Sequence, residues 1–474
     1  MRLATAATSR RTASRSAADR PSLGNLAACI ADARAAALER DDGPADPADY
    51  RSLLARLEKA RAKLPPLYRQ ATGDPFVATL EKLGARGFKD VLGQDPDRQG
   101  IARLMLDLAQ AVLQNGEGYQ ELATDAFQEV VSDLYDGFVS AEDRRGVKPP
   151  DRGVVPPLVK WGSAADGPYT WPVAATASFQ VQAPIVSLPA PNARAGLLAW
   201  STVAHETAGH DLLAADDGLH DELAKAVREE VAAAKLGRAI ADYWADRLDE
   251  TASDVMGVLN MGPAAAAGLI GYFRALNGAY AGREVLRNVG PEDDPHPADI
   301  ARGWLGAETV RLLSFSAAKP WADALAAETD RDLGQVRLGR TPVTAAVAKE
   351  SAAVVARTVV RRKLESLERH ALGDIQDWRD ADEAIVRDLR QALRAAKPVP
   401  ARFAPGTYAA HAVAAAVTEA LSPKADVPGL TKQMIRALKV MHDANPSWGP
   451  LYVAHPGDLV ASRVRGRTNR EAAA

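Results

Sequence analysis

The sequence predicts a mainly α protein in which a small α+β core lies between helical N- and C-terminal units. Three observations support this fold class. Apolar residues recur at three- and four-residue spacing over most of the chain, as in amphipathic helices. Of the 474 residues 47% are hydrophobic but only 5% aromatic, which favours helices packed through small side chains. The best strand pattern of the chain, Ser178–Leu188, is a single short segment.

The N-terminal third consists of a basic tail, a helical unit and a segment rich in proline. Residues 1–20 carry several Arg, Ser and Thr but a single acid, Asp19, which favours a disordered basic tail; a targeting segment is the alternative. Residues 21–147 are predicted to form the helical N-terminal unit. Its clearest helical patterns are Tyr50–Lys63, Asp74–Leu83 and Gly100–Leu113. Prolines cluster in residues 148–172, where they interrupt helices and indicate a connection.

Residues 173–306 are predicted to form the α+β core. Ser178–Leu188 lies close to Pro184 and Pro189, a pattern typical of an edge strand, which could pair with an extended peptide. A plain core strand is the alternative. Three helices follow, and we place them at Ala195–Ala215, Asp221–Leu236 and Arg238–Asn260.

Residues 307–474 return to helical periodicity and are predicted to form the helical C-terminal unit. Short joints with proline or glycine separate its helices. The predicted helices are Val343–His370, Ala381–Ala396, Tyr408–Leu421 and Leu430–His442.

Composition excludes several classes of protein. The net charge is −3 with acids and bases interleaved, so we expect no nucleic-acid partner. Cys29 is the only cysteine, which excludes an internal disulfide and a metal site built from several thiolates. The longest apolar stretch, Pro263–Tyr272, is far shorter than the ~20 residues of a membrane span. We therefore expect a cytoplasmic protein without membrane contact, although the basic tail leaves targeting open.

A short polar motif interrupts the apolar helix predicted at Ala195–Ala215. Residues 205–210 read His-Glu-Thr-Ala-Gly-His. In the commoner motif two histidines lie four residues apart on one helix face, and both imidazoles reach one zinc ion. His205 and His210 are five apart, and at 3.6 residues per turn a regular helix would point them in different directions. We therefore predict a single-residue π-bulge, which Gly209 is best able to absorb.

A third metal ligand is expected from the predicted helix Arg238–Asn260. Asp246, Glu250 and Asp254 recur every four residues and would form one acidic stripe. A catalytic zinc usually takes three protein ligands and keeps a position for water, so we predict His205, His210 and Glu250 as ligands. Asp254, one turn further on, is predicted to accept the second ring N–H of a ligand histidine.

These residues resemble those of known zinc peptidases. The hexapeptide fits the H-E-x-x-G-H signature of the dipeptidyl peptidase III metallopeptidases, and residues 250–257 resemble the E-x-x-S-D-x-x-G motif of thermolysin-like enzymes. Both groups are gluzincins. The resemblance covers about sixty residues and departs from the first family at Asp249, where a glutamate is usual. It implies a zincin-like catalytic core with zinc ligands His205, His210 and Glu250, general base Glu206 and supporting carboxylate Asp254.

The implied activity is that of a zinc-dependent metallopeptidase with a peptide substrate. Glu206 would take a proton from the attacking water and return it to the leaving amine. His296 is our first candidate for stabilising the oxyanion, because its place after Glu250 is similar to that of the transition-state histidine of gluzincins; capping of a helix beginning near Ala298 is its alternative role. Further candidates for the oxyanion are Tyr243, Tyr280 and Arg302.

Two other functions fit the same motif. A zinc hydrolase could act on a non-peptide amide or ester with the same groups. A non-enzymatic helical binding protein could keep a relic zincin core, although a purely structural metal site needs no general base such as Glu206. The sequence leaves the oligomeric state undetermined.

Overall fold

The computed structural model describes residues 21–139, 144, 146–151, 155–210, 212–445 and 448. The predicted basic tail, residues 1–20, lies outside the described residues, as does the end of the predicted C-terminal unit from residue 449. Within the described part the chain is mainly helical, with two small three-stranded sheets that each mix parallel and antiparallel pairs. The predicted mainly α class is thus confirmed for this part of the chain.

Helices occupy the N-terminal, central and C-terminal parts of the described chain. The N-terminal helices are α1 Leu26–Leu38, α2 Tyr50–Arg61, α3 Pro66–Tyr68, α4 Asp74–Gln94, α5 Ile101–Glu117 and α6 Glu121–Val139. The central helices are α7 Val173–Thr176, α8 Leu197–Ala208, α9 Leu219–Ala233, α10 Arg238–Ala245, α11 Leu248–Met261, α12 Pro263–Tyr280 and α13 Asp299–Leu312. The C-terminal helices are α14 Ala318–Asp330, α15 Ala345–Arg361, α16 Leu372–Ile375, α17 Asp380–Arg394, α18 Ala409–Ala420 and α19 Val427–Ala444.

The first sheet corrects two predictions. Its strands are β1 Leu158–Gly162, β2 Tyr169–Trp171 and β3 Ile185–Pro189. Two of them come from the Pro-rich range 148–172, which is therefore more than a connection. The strand order is β1-β3-β2, so the predicted edge strand within Ser178–Leu188 is wrong and the alternative, a core strand, is confirmed. All five residues of β3 are buried, and its prolines lie at or beyond the strand ends, where they do not interrupt pairing.

The two edges of this sheet differ. At the outer edge of β1, side chains replace a neighbouring strand: Gln114 accepts from Trp161 N at 2.7 Å and donates to Trp161 O at 3.0 Å. Asn115 donates to Val159 O at 2.8 Å, and Gln128 accepts from Val159 N at 3.2 Å. Among the described residues no strand pairs with the outer edge of β2, so β2 presents the open edge.

The second sheet is smaller and lies further along the chain. Its strands are β4 Val289–Gly290, β5 Val336–Leu338 and β6 Thr341–Val343, in the order β4-β5-β6. It ties the segment before α13 to the segment after α14, because β4 is parallel to β5.

The hydrophobic core crosses the predicted unit boundaries. The larger core joins Ile30 of α1, Trp200 of α8, Leu305 of α13 and Leu438 of α19, so N-terminal, central and C-terminal helices share it. Helix α13, Asp299–Leu312, runs through residues 306 and 307, where the sequence predicted a boundary. Alanine-rich helices present broad apolar faces and need several neighbours to cover them. In the described part of the chain no helix is long and apolar enough to cross a membrane.

Candidate metal centre

Helix α8, which carries the histidine motif, is buried at the centre of the larger core. It begins after Gly196, whose φ of +71° suits glycine, and Asp32 of α1 accepts a hydrogen bond from Leu197 N at 2.9 Å. It packs against α6, α11, α12 and α18. The helix ends at Ala208 and is therefore shorter than the predicted Ala195–Ala215.

Gly209 does not form the predicted π-bulge. The backbone leaves the helix there, and Gly209 and His210 lie in a turn. A Cβ on Gly209 would overlap the Cα, Cβ and Oγ atoms of Ser253 on α11. Glycine is thus required because two backbones approach closely, and the exit from the helix brings the His210 ring to 5.0 Å from the His205 ring.

The predicted helix Arg238–Asn260 is two helices, α10 and α11, with a break at Asp246 and Arg247. The break takes Asp246 out of the predicted acidic stripe, and its carboxylate pairs with Arg228 at 2.9 Å instead. Glu250 and Asp254 remain together on the buried face of α11. The stripe prediction is therefore wrong for Asp246 because it assumed one continuous helix.

His205, His210 and Glu250 come together as predicted. One nitrogen or oxygen atom of each lies within 4.8 Å of the others, so the group could hold a metal ion. The Nε2 atom of His205 is 3.2 Å from Glu250 Oε2, and that of His210 is 3.7 Å from Glu250 Oε1. Glu250 Oε2 is buried, and apart from its 3.2 Å approach to His205 Nε2 it accepts no hydrogen bond among the described residues, as expected of an atom that can bind a metal. Two imidazoles and a carboxylate suit a divalent transition metal.

Each histidine is held through its other ring nitrogen by a carboxylate. His205 Nδ1 donates to Asp254 Oδ1 at 2.8 Å, as predicted, and His210 Nδ1 donates to Asp249 Oδ2 at 2.6 Å. Donation from Nδ1 makes Nε2 the ring nitrogen of each histidine that could bind a metal. Arg302 in turn donates to both oxygens of Asp254, at 2.7 and 2.8 Å.

Buried opposite charges shift the pKa values of His205 and Glu250. Burial alone would lower the pKa of His205, but hydrogen bonds and charges from Asp254 and Glu250 raise it to about 10. Burial opposes ionisation of Glu250, yet His205 and the charge of Arg302 hold its pKa well below the usual range. In this arrangement a proton on His205 satisfies the carboxylates, so a metal ion that binds here must displace that proton.

Glu206, the predicted general base, lies beside the open edge strand β2. Its carboxylate Oε2 accepts a hydrogen bond from Thr170 Oγ1 at 3.0 Å, and its backbone carbonyl lies 2.9 Å from the same hydroxyl. The side chain is largely buried, with 8% of the residue exposed.

His296, the first candidate for stabilising the oxyanion, also lies beside the group. Its Nε2 atom lies 3.4 Å from Glu250 Oε1, while its Nδ1 donates to Asp294 Oδ1 at 2.9 Å. Asp294 also accepts from Arg287 at 2.8 Å, and Arg247 donates to the carbonyls of Pro291 and Glu292. The His296 ring is therefore oriented, and its loop is fastened to the break between α10 and α11.

The other three oxyanion candidates have different contacts. Tyr243 accepts a hydrogen bond from Ala298 N at 2.9 Å and so holds the start of α13. Tyr280 is exposed, and its hydroxyl lies 3.1 Å from the Ala37 carbonyl and 3.0 Å from the Ala164 carbonyl, so it can donate to either. The closest contacts of Arg302 are to Asp254, and its Nη2 is 3.7 Å from Glu250 Oε2. Predictions of an oxyanion role for these residues are not supported by their contacts.

Sequence reasoning missed Thr170, Asp294 and the role of Asp249. Asp249 precedes Glu250 directly and could have been considered as the second supporting carboxylate. Asp294 lies two residues before His296, a spacing that also allows an orienting contact. No pattern in the sequence indicates Thr170, because only the fold brings β2 next to α8.

No family model, curated protein or solved structure matches this chain.

Proposed function

We propose that this protein is a zinc-dependent hydrolase of peptide bonds, with a zincin-like core around α8 and α11. The observation that carries the proposal is the convergence of His205 and His210 on Glu250, each ring oriented by its own carboxylate. Ligand histidines are commonly oriented in this way in zinc enzymes. Glu206, which a structural metal site would not need, lies in the same motif.

In the proposed reaction the metal ligands, Glu206 and His296 have different roles. A zinc ion held by His205, His210 and Glu250 would polarise a substrate carbonyl and lower the pKa of a water molecule. Glu206 takes the proton of the attacking water and returns it to the leaving amine. His296, oriented by Asp294, donates a hydrogen bond to the oxygen on which negative charge develops.

The open edge of β2 supports a peptide as the substrate. An extended peptide can add to a free strand edge through main-chain hydrogen bonds, and the edge of β1 is closed by side chains. Thr170 is the middle residue of β2 and contacts Glu206, so a peptide paired with this edge would pass close to the general base. A small amide or ester would not use this edge.

Zinc content and peptide cleavage, measured on the same samples, test the proposal. We expect about one zinc ion per chain in wild-type protein, the stoichiometry of a mononuclear catalytic site. We expect E206Q to keep the metal and to lose about 10²–10⁴-fold in the rate of cleavage of a peptide library. E129Q is the matched control, since Glu129 is a buried glutamate on α6 and should be dispensable for both measurements.

The other outcomes separate the alternative functions. Zinc without cleavage of any library peptide, but with hydrolysis of simple amides or esters, would favour the non-peptide hydrolase. Absence of zinc even after reconstitution would contradict the proposal and favour a helical binding protein, in which the protonated His205 fills the role of the metal.

A further inference from the structure

The hydroxyl group of Thr170 is the one side-chain donor from β2 that reaches the histidine motif among the described contacts. It lies 3.0 Å from Glu206 Oε2 and 2.9 Å from the Glu206 carbonyl oxygen. A hydroxyl has a single proton, so it donates to one of these oxygens at a time. The carbonyl belongs to the last turn of α8, where helix carbonyls generally lack intrahelical partners.

Strand β2 is fastened from its opposite face. Successive side chains of a strand point to opposite sides, so Tyr169 and Trp171 face away from Glu206. Both donate to Asp107 Oδ2 on α5, at 2.8 and 2.7 Å, and Asp107 Oδ1 pairs with the buried Lys160 of β1 at 2.7 Å. This buried ion pair holds the backbone of Thr170 in place.

We propose that Thr170 is a positioning residue for Glu206: it holds the carboxylate in the orientation that proton transfer requires. The proposal rests on the function proposed above. A short side chain on an anchored strand is well suited to this role, because it adds little conformational freedom of its own. Holding a general base in line matters, since misplacement by about 1 Å can cost about 10²-fold in rate.

The test uses full-length T170V, which replaces the hydroxyl with a methyl group of similar size. We expect kcat for peptide cleavage to fall about tenfold with KM within about twofold of wild type, because the lost contact concerns the transition state. Zinc content should not change. T170S, which keeps the hydroxyl, should restore most of the activity, and T309V controls for loss of a buried threonine hydroxyl elsewhere in the larger core.

A second measurement needs no substrate. Urea unfolding midpoints of metal-free wild type, T170V, E206A and the double variant form a thermodynamic cycle. If Thr170 holds the carboxylate, T170V lowers the midpoint more in the wild-type background than in E206A. Equal shifts would mean that the hydroxyl serves only the helix carbonyl and would overturn the proposal.

Three other outcomes of these experiments would also overturn the positioning role of Thr170. Unchanged kcat in T170V, with an active wild type, would overturn the positioning role and leave the proposed function intact. Loss of folding in both T170V and T170A would assign Thr170 a structural role and overturn the proposal. A wild-type protein without zinc or hydrolysis would overturn the proposed function and this inference together.

Discussion

Two groups of histidine and acidic residues in the described part of the chain have ligand-type atoms within 4.8 Å of one another, yet their surroundings differ. The first lies between α8 and α11, and the second between α6 and α19. The two groups are His205, His210 and Glu250, and Asp125, His442 and Asp443. Comparing them shows which features beyond proximity prepare side chains for a metal.

The second group already contains a cation. The ammonium group of Lys439 lies 3.3 Å from Asp125 Oδ2 and also pairs with Asp443. A metal ion would have to displace it. In the first group the cation, Arg302, makes its closest contacts to Asp254 and lies further from Glu250. The negative charge of Glu250 is therefore left for the histidine protons or for a metal.

The histidines also differ. Carboxylates orient both rings of the first group, whereas neither ring nitrogen of His442 has a hydrogen-bond partner among the described residues. Burial and the charge of Lys439 lower the pKa of His442, against the pull of Asp125, while the pKa of His205 is raised to about 10. We therefore expect one metal site, not two.

The largest effect is expected from removing a ligand. E250A should lose bound zinc completely, because a site with two protein ligands left is too weak to retain the ion during purification. D443A should retain it. Metal analysis of the two variants and wild type tests this expectation. Loss of zinc from D443A, or two ions in wild type, would contradict the conclusion that only the first group binds a metal.

The second-largest effect is expected from changing Gly209, where the backbones at the end of α8 and in α11 approach closely. Only the first group depends on such an approach. G209A should destabilise the protein by about 1–3 kcal/mol and weaken metal binding, since the added methyl group overlaps Ser253. S253A should not rescue it, because the Cα and Cβ atoms of residue 253 remain in the way. G93A, at a surface glycine with open space around it, is the control and should be nearly neutral in urea unfolding.

A smaller effect is expected from the supporting carboxylates. D254N and D249N should each weaken zinc binding about 10–100-fold, as is usual when the partner of a ligand histidine is lost. D254N should have the larger effect, because Asp254 is buried and bonded to Arg302, while the side chain of Asp249 is 48% exposed. Competition with a chromogenic chelator measures both affinities. Equal affinity in D254N and wild type would contradict the orienting role.

The ligands could be predicted from the sequence because their signals are local. The sequence itself shows the spacing of His205, Glu206 and His210. It also shows Glu250 and Asp254 four residues apart on a later predicted helix. Gly209 was singled out correctly but for the wrong reason, since its contact with Ser253 depends on how two helices pack. Periodicity extended one helix across the break at Asp246 and Arg247, where the Arg247 side chain contacts the His296 loop; that contact depends on the fold.

The open strand edge could not be predicted in the same way. Ser178–Leu188 has the strongest strand pattern because β3 is buried on both faces, and central strands have more apolar residues than edge strands. The true edge, β2, has three residues between prolines and glycine and gives almost no signal. Thr170 could be recognised only after the fold had placed it beside Glu206.

The smallest expected effect is the pH dependence of stability that His442 of the second group contributes. Because the folded-state pKa of His442 is lowered, the unfolded chain binds its proton more tightly, and stability contributed by neutral His442 is lost as the pH falls below about 6.5. Asp125, Asp443 and Lys439 are the charged groups that face the ring. Urea unfolding of wild type and H442Q at about pH 7.5 and about pH 5.5 should therefore show a steeper loss in wild type. A gain of stability in wild type at the lower pH would mean that the two acids outweigh burial and Lys439, and the second group would then resemble the first in the property that attracts a cation.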